Sequence, residues 1–207
     1  MSKEATKFEK NLSQGNVAKQ LLLFAIPFII SNFIQSLYSV ADMAIVGHFS
    51  GTVSMSGVNI GSQVTMLMTN LVVGLSVGGT VLIGQYVGSG QRNKLKNTIG
   101  TLFTTLFFCA IVITAIMVFL KDPILVLIQT PSESFSEASS YLLITALGTI
   151  FIFGYNAFSA VMRGMGDSVR PLVFVAIAAG TNILLDLVLV AGFKMAATGA
   201  AIATVVS

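Results

Sequence analysis

In the run Thr181–Val190, TNILLDLVLV, a single aspartate, Asp186, is embedded among aliphatic residues, with Asn182 four positions before it. Four residues make about one helical turn, so the amide and the carboxylate share one face of a helix and can share one ligand. A carboxylate at the centre of a membrane helix costs about 2.5–3.5 kcal/mol on insertion scales, so it faces a protein interior or a wet cavity instead of lipid. A chain that carries this stretch has to surround it with other elements, and Asp186 marks a functional site.

The surroundings are apolar enough to be membrane. Only 9% of the 207 residues are charged and 55% are hydrophobic, with a mean hydropathy of +0.90, against about 25% charged in an ordinary soluble domain. The predicted fold class is all-α, a polytopic membrane helix bundle. The net charge of +3 comes from basic residues spread thinly over connecting segments, which leaves no basic face for nucleic acid. Cys109 stands alone in an apolar run, so it offers no disulfide framework and no thiolate metal site. His48 has no second histidine or cysteine beside it and reads as a solvated loop residue. No His/Glu cluster, Ser/His pair or nucleophile near a base is present, so the chain is not expected to be an enzyme. The first apolar run is too long for a signal-peptide core and lacks a small-residue cleavage site, and so reads as a retained helix.

Residues 1–19, with Lys3, Lys7, Lys10 and Lys19, form a polar cytoplasmic lead-in with room for a short interfacial helix; residues 20–207 form the transmembrane unit. Its first predicted helix runs from Gln20 to Val46 and contains Pro27. Ser31, Asn32, Gln35, Tyr38, Ser39 and Asp42 recur along it at spacings of three and four and make one polar stripe. The second, Met55 to Ile83, carries Asn59, Gln63, Met66 and Asn70 on one face, so two polar stripes suggest a cavity wall. Gly84 to Lys96 reads as a glycine-rich cytoplasmic hairpin; it lacks the pattern of a phosphate loop, and no strand precedes it. A featureless third helix, Thr98 to Leu120, fits a lipid-facing position. Lys121 to Glu137, with Pro123 and Pro131, reads as an exterior loop with a short helix. The fourth helix, Ala138 to Met162, holds Tyr155 and Asn156 and ends in a tight turn that Pro171 closes as it opens the fifth, Pro171 to Ala191. A sixth begins near Ala196. Its apolar run is about half of the roughly 20 residues needed to cross the hydrocarbon, so the sequence is expected to be a fragment with the sixth helix truncated.

Nine of the eleven basic residues fall on the N-terminus, the second-to-third and the fourth-to-fifth connections, against Lys121 and Lys194 on the other side. That asymmetry places the N-terminus inside. The first and fifth helices then run from inside to outside, and at 1.5 Å per residue Asp42 and Asp186 both lie about 8 Å below the outer helix ends. Thr204, about 12 Å into the returning sixth helix, is within reach of that layer. Asn156 falls nearer Asn182 and would join such a cluster from below.

Four features together resemble the N-terminal lobe of the multidrug and toxic compound extrusion (MATE) family: Pro27 followed by Tyr38 and Asp42; Gly84-Gln85-Tyr86-Val87-Gly88-Ser89-Gly90; Met162-Arg163-Gly164-Met165-Gly166-Asp167-Ser168-Val169-Arg170-Pro171; and the Asn182/Asp186 pair. The resemblance spans essentially the whole chain. It implies a two-lobe transporter of which this chain is the six-helix N-terminal lobe, with a cleft between lobes that opens to one side at a time, in line with the repeat logic of transporters. It further implies export of amphipathic, often cationic compounds from the plasma (inner) membrane, driven by Na+ or H+, with no organic cofactor. The family's coupling-ion residues match Asp42, Asn156, Asn182, Asp186 and Thr204, of which Asp42, Asn182 and Asp186 would hold sodium if sodium is the ion. Pro27 matches the hinge at which the first helix bends when the cation state changes. On this reading Gln35, Tyr38, Asn59, Gln63 and Asn70 line the substrate cleft. The partners expected are the lipid bilayer, small amphipathic cationic substrates and the missing C-terminal lobe.

Two alternatives compete. A lipid-linked oligosaccharide flippase of the same superfamily needs cations inside its cleft to meet phosphates, and no Lys or Arg lies within a helix core here. A non-transporting membrane scaffold would be distinguished by whether six more helices follow Ser207.

Overall fold

The structure is a computed structural model that describes residues 16–207. Lys3, Lys7, Lys10 and the interfacial helix expected among residues 1–15 lie outside the described residues. Those that are described form five α-helices, α1 Val17–Gly88, α2 Arg92–Leu127, α3 Ser132–Gly164, α4 Val169–Asp186 and α5 Ala196–Val206, with a π-helical turn at Leu187–Gly192 continuing α4.

The helix count differs from the six expected because the first two predicted helices are joined almost without a loop. Within α1 only Gly51 leaves helical geometry, at φ 84 and ψ 179, a conformation that glycine adopts without steric cost. There α1 doubles back on itself. Asn59 Nδ2 reaches Met43 Sδ at 3.5 Å, although 16 residues of straight helix would separate them by about 24 Å. Met55 packs on Gly47 in the same way. Both pairs are symmetric about Gly51, so residues 17–50 and 52–88 are two limbs of a helical hairpin. Each limb is longer than the roughly 20 residues that span a bilayer, as are α2, α3 and α4 with its π-turn, and α1 as a whole and these three are apolar enough to cross.

Other boundaries moved for the same reason, since packing extends helices through residues that read as loop. The expected Gly84–Lys96 hairpin shrinks to a turn at 89–91, with Gly90 at φ 69. Gly84 belongs to the helix and lies against the backbone of Gly164, while Lys94 sits 5.8 Å from the Tyr86 ring centre. The expected exterior loop from Lys121 to Glu137 is helical except at 128–131. Pro123 lies inside α2, where it removes one backbone bond, yet Ile124 and Leu125 bury themselves against Val64, Met117, Ala138 and Leu142, and that burial carries the helix on. Lys121, Asp122 and Ser139 tie the two helices together in a hydrogen-bonded cluster. The helix expected to be featureless has two faces: Leu102, Leu106, Ala110 and Met117 are buried, while Phe107, Phe108, Val112 and Phe119 are exposed, as lipid contact requires.

Small residues set the closest approaches. Gly57 and Gly61, in the sequence GVNIG, seat Glu137, Ala138 and the ring of Tyr141, whose atoms occupy the places where Cβ atoms would stand. This is the small-xxx-small device by which membrane helices approach without a hydrophobic driving force. α5 presents Ala197, Gly199, Ala200, Ala201 and Ala203 to the bundle, all buried. Its first turn is fixed by Glu137 of α3, whose Oε2 accepts a hydrogen bond from Ala197 N at 3.1 Å.

Candidate ion site and polar cleft

Asp42 lies on the first limb of α1 and Asp186 is the last residue of α4 before the π-turn. The two carboxylates meet inside the bundle. Asp186 is 0% exposed and Asp42 7%. One turn beyond each acid the chain turns apolar: Val46 and Val190 join Val58, Tyr141, Ala197, Ala200 and Ala201 in a buried cluster. That plug closes the pair off from the end of the bundle where α5 begins. A π-turn follows directly after Asp186, and such turns are frequent at functional sites; Asp186 and Val190, four residues apart, are both fully buried.

The chemistry of the pair is incomplete as it stands. One oxygen of Asp42 and both of Asp186 are buried without a hydrogen-bond partner, and so are both amide atoms of Asn182, which is 1% exposed. Carboxylates are acceptors only, so two of them facing one another need a proton or a cation between them. Buried polar atoms are otherwise almost always paired, and five orphans in one turn and its neighbour mark a place built to receive something. Among the described residues no three His, Cys, Asp or Glu side chains gather as a metal cluster. What gathers is two carboxylates with neutral oxygens.

Tyr141 of α3, buried at 3% exposure, is one of those neutral groups. It stands within electrostatic reach of Asp42, Asp186 and Tyr38, and its phenol lies against the hydroxyl of Thr204. Thr204 also donates to its own Ala200 carbonyl at 2.9 Å. Thr204 thus touches Tyr141, and Tyr141 in turn lies within electrostatic reach of both acids. Sequence reasoning missed Tyr141, since a tyrosine in an apolar helix reads as core. The signal for it was the GVNIG spacing, which leaves a slot for a large side chain on the facing helix.

Asn156 is 15 residues beyond Tyr141, about 22 Å along α3, half-buried, and its Nδ2 donates to the Ile152 carbonyl at 2.8 Å. Its neighbour Tyr155 is within electrostatic reach of Tyr38, one turn before Asp42, so Asn156 stands on the cytoplasmic side of the acids as counted from the sequence, with its Nδ2 bonded within its own helix. Tyr38, one turn before Asp42, is within electrostatic reach of Asp42 and Tyr155. Gln35 is half-buried on the same limb. On the second limb Gln63 donates to Asn59 Oδ1 at 2.5 Å, and Gln63, Met66 and Asn70 are exposed along one face. The two polar stripes thus lie on the two limbs of the α1 hairpin. Pro27 is half-buried within α1, and its carbonyl accepts from Ser31 Oγ at 2.8 Å. Phe28 beside it lies 5.6 Å from the Arg163 guanidinium.

Residues 27–188 match the MatE family. The chain belongs to the MatE family. This family member is 30% identical over 197 residues to the probable multidrug resistance protein YpnP of Bacillus subtilis (strain 168), which takes in 95% of this chain and 44% of that protein. It is 29% identical over 195 residues to the probable multidrug resistance protein NorM of Thermotoga maritima, 92% of this chain and 42% of that one. Among solved structures it resembles MATE in the bent conformation, with a TM-score of 0.90 at 26% identity over 98% of this chain and 45% of the other. A MOP superfamily transporter from Pyrococcus furiosus gives 0.90 at 25% identity, covering 99% and 45%. This MatE chain therefore spans somewhat less than half the length of the relatives it matches. Its family is one of membrane transporters and not of enzymes.

Proposed function

We propose that the chain is the N-terminal lobe of a cation-coupled exporter of amphipathic, often cationic compounds. The observation that carries the reading is the buried pair Asp42/Asp186, three of whose oxygens have no partner. A sodium ion or a proton supplies what two facing acceptors lack. Asp42 and Asp186 hold the charge, Asn182 and Thr204 contribute neutral oxygens, and Tyr141 fixes Thr204. Because binding one cation relieves the repulsion, sodium and protons compete for one place and the two acids act as a unit. The exposed stripe of Gln63 and Asn70, with Gln35, Tyr38 and Asn59, forms one wall of the substrate cleft, the other wall coming from a second lobe. Pro27 provides the hinge of the first limb. The five residues of this wall are all uncharged, which disfavours a phosphate-bearing lipid-linked sugar as cargo.

In vesicles holding the complete two-lobe protein, an inward sodium or proton gradient should drive efflux of a cationic dye. Efflux that ignores both gradients would overturn the coupling. The basic residues favour a plasma-membrane protein with its N-terminus inside. Single cysteines replacing Lys94 and Glu133 in a Cys109→Ala background should react from the inside and the outside respectively, and the reverse pattern would invert the topology.

A further inference from the structure

The first two turns of α2 carry a feature that neither the ion pair nor the cleft uses. Arg92, Leu95, Lys96 and Ile99, on one face of α2, line a shallow groove that is wide open to the surroundings. The two cations are exposed and four residues apart, about 6 Å along the helix, close enough for both flexible side chains to converge on one phosphate. Neither has a counter-ion among the described residues. None is available nearby in sequence either, because no acid occurs between Asp42 and Asp122. Leu95 and Ile99, half-buried, rest on the core built from Leu102, Leu106 and Phe153, so the floor of the groove is fixed and apolar. The cations sit at the helix end and the aliphatic floor runs from them toward the apolar middle of α2. A ligand that fits carries negative charge at one end and hydrocarbon at the other.

We propose that this groove is a binding site for an anionic phospholipid, its phosphate held by Arg92 and Lys96 and its acyl chain laid along Leu95 and Ile99. Basic pockets at the cytoplasmic ends of membrane helices recognise acidic headgroups through such charges, and a guanidinium is suited to a phosphate because its N–H groups match two oxygens. Lys94 is not part of the site; it points to Tyr86 on the other side of the turn. The site requires only that α2 is embedded in a bilayer, so it stands independently of the coupling ion and the cargo.

The test is native mass spectrometry of the chain in a mild nonionic detergent, with phosphatidylglycerol and phosphatidylcholine of identical acyl chains. Phosphatidylglycerol should be retained, and the double substitution Arg92→Gln/Lys96→Gln should weaken its retention by about tenfold or more, while Lys94→Gln leaves it unchanged. Thermal unfolding verifies that the variants are folded, and Lys96→Gln alone, with a smaller loss, serves if the double variant is not. Equal retention of phosphatidylcholine, or unaltered phosphatidylglycerol binding in the folded variants, would overturn the proposal. Competition by glycerol phosphate at equal concentration would overturn it too, since the acyl chain would then contribute nothing.

Discussion

Asp167 and Asp186 are both buried to 1% or less of their surface, yet the chain treats them in opposite ways. Asp167 sits in the turn between α3 and α4, where Oδ1 accepts from Val169 N and Arg170 N, each at 3.0 Å, while Oδ2 accepts no hydrogen bond but is neutralised by the Arg170 guanidinium, 3.2 Å away. It caps the orphan N–H groups of a helix start, and Gly166 at φ 89 makes the turn that brings it there. Asp186 has no donor at all. The difference separates an acid that completes the fold from one whose partner must come from elsewhere. Burial alone does not tell them apart; the two backbone donors and the counter-ion that Asp167 has, and Asp186 lacks, do.

The largest effect is expected at the acid pair. Asp42→Asn or Asp186→Asn should abolish ion-coupled efflux in the complete protein and lower cation affinity by more than about 100-fold, the 3–5 kcal/mol scale of breaking a buried charge pair. The fold should survive, since the amide matches the acid in size. Sodium titrations at several pH values sharpen this point. Only the ionised pair holds a cation, so sodium affinity should fall as pH is lowered in the parent protein and lose that dependence in either variant. Efflux with unchanged sodium or pH dependence would reduce Asp42 and Asp186 to a link between α1 and α4.

Asp167→Ala should do the reverse. It removes a helix cap worth about 1–2 kcal/mol, visible as a lower thermal midpoint, and leaves cation affinity of the folded protein unaltered. A loss of affinity at unchanged stability would place Asp167 with the functional acids. The smallest effect is expected at Tyr141→Phe, which keeps the ring in its slot against Gly61 and removes only the hydroxyl beside Thr204. One hydrogen bond of about 0.5–1.5 kcal/mol corresponds to an about twofold to twelvefold weaker cation affinity, with stability nearly constant. No change would make Tyr141 a packing residue alone.

The acids were legible in the sequence because an aspartate in an aliphatic run has few explanations. Their meeting was legible because equal depth follows from counting residues at a fixed rise. Tyr141 was not, because its role depends on glycines 80 residues away in the chain that open a slot for its ring. Asn156 was carried over from the family resemblance and counted to lie nearer Asn182 than Asp186, and a residue count along one helix does not fix how far its side chain stands from groups on the others. The membrane-crossing helices were plain from their apolar runs, whereas their ends were not. Pro123 and the charges near it looked like a loop, and the burial of Leu125 and Phe135 that holds the helices together comes from tertiary neighbours that local sequence does not announce.

The single non-helical residue at Gly51 has a consequence for how this chain tolerates change. A loop of several residues absorbs an insertion without disturbing the helices on either side. A one-residue hinge cannot. Adding or removing one residue next to Gly51 turns the whole second limb by about 100° relative to the first, carries Asn59 away from Met43, and swings Gly57 and Gly61 off the helix that holds Tyr141. The phase of the second limb is thus geared to that of the first, so length variation in this part of the molecule is confined to steps that restore the helical phase.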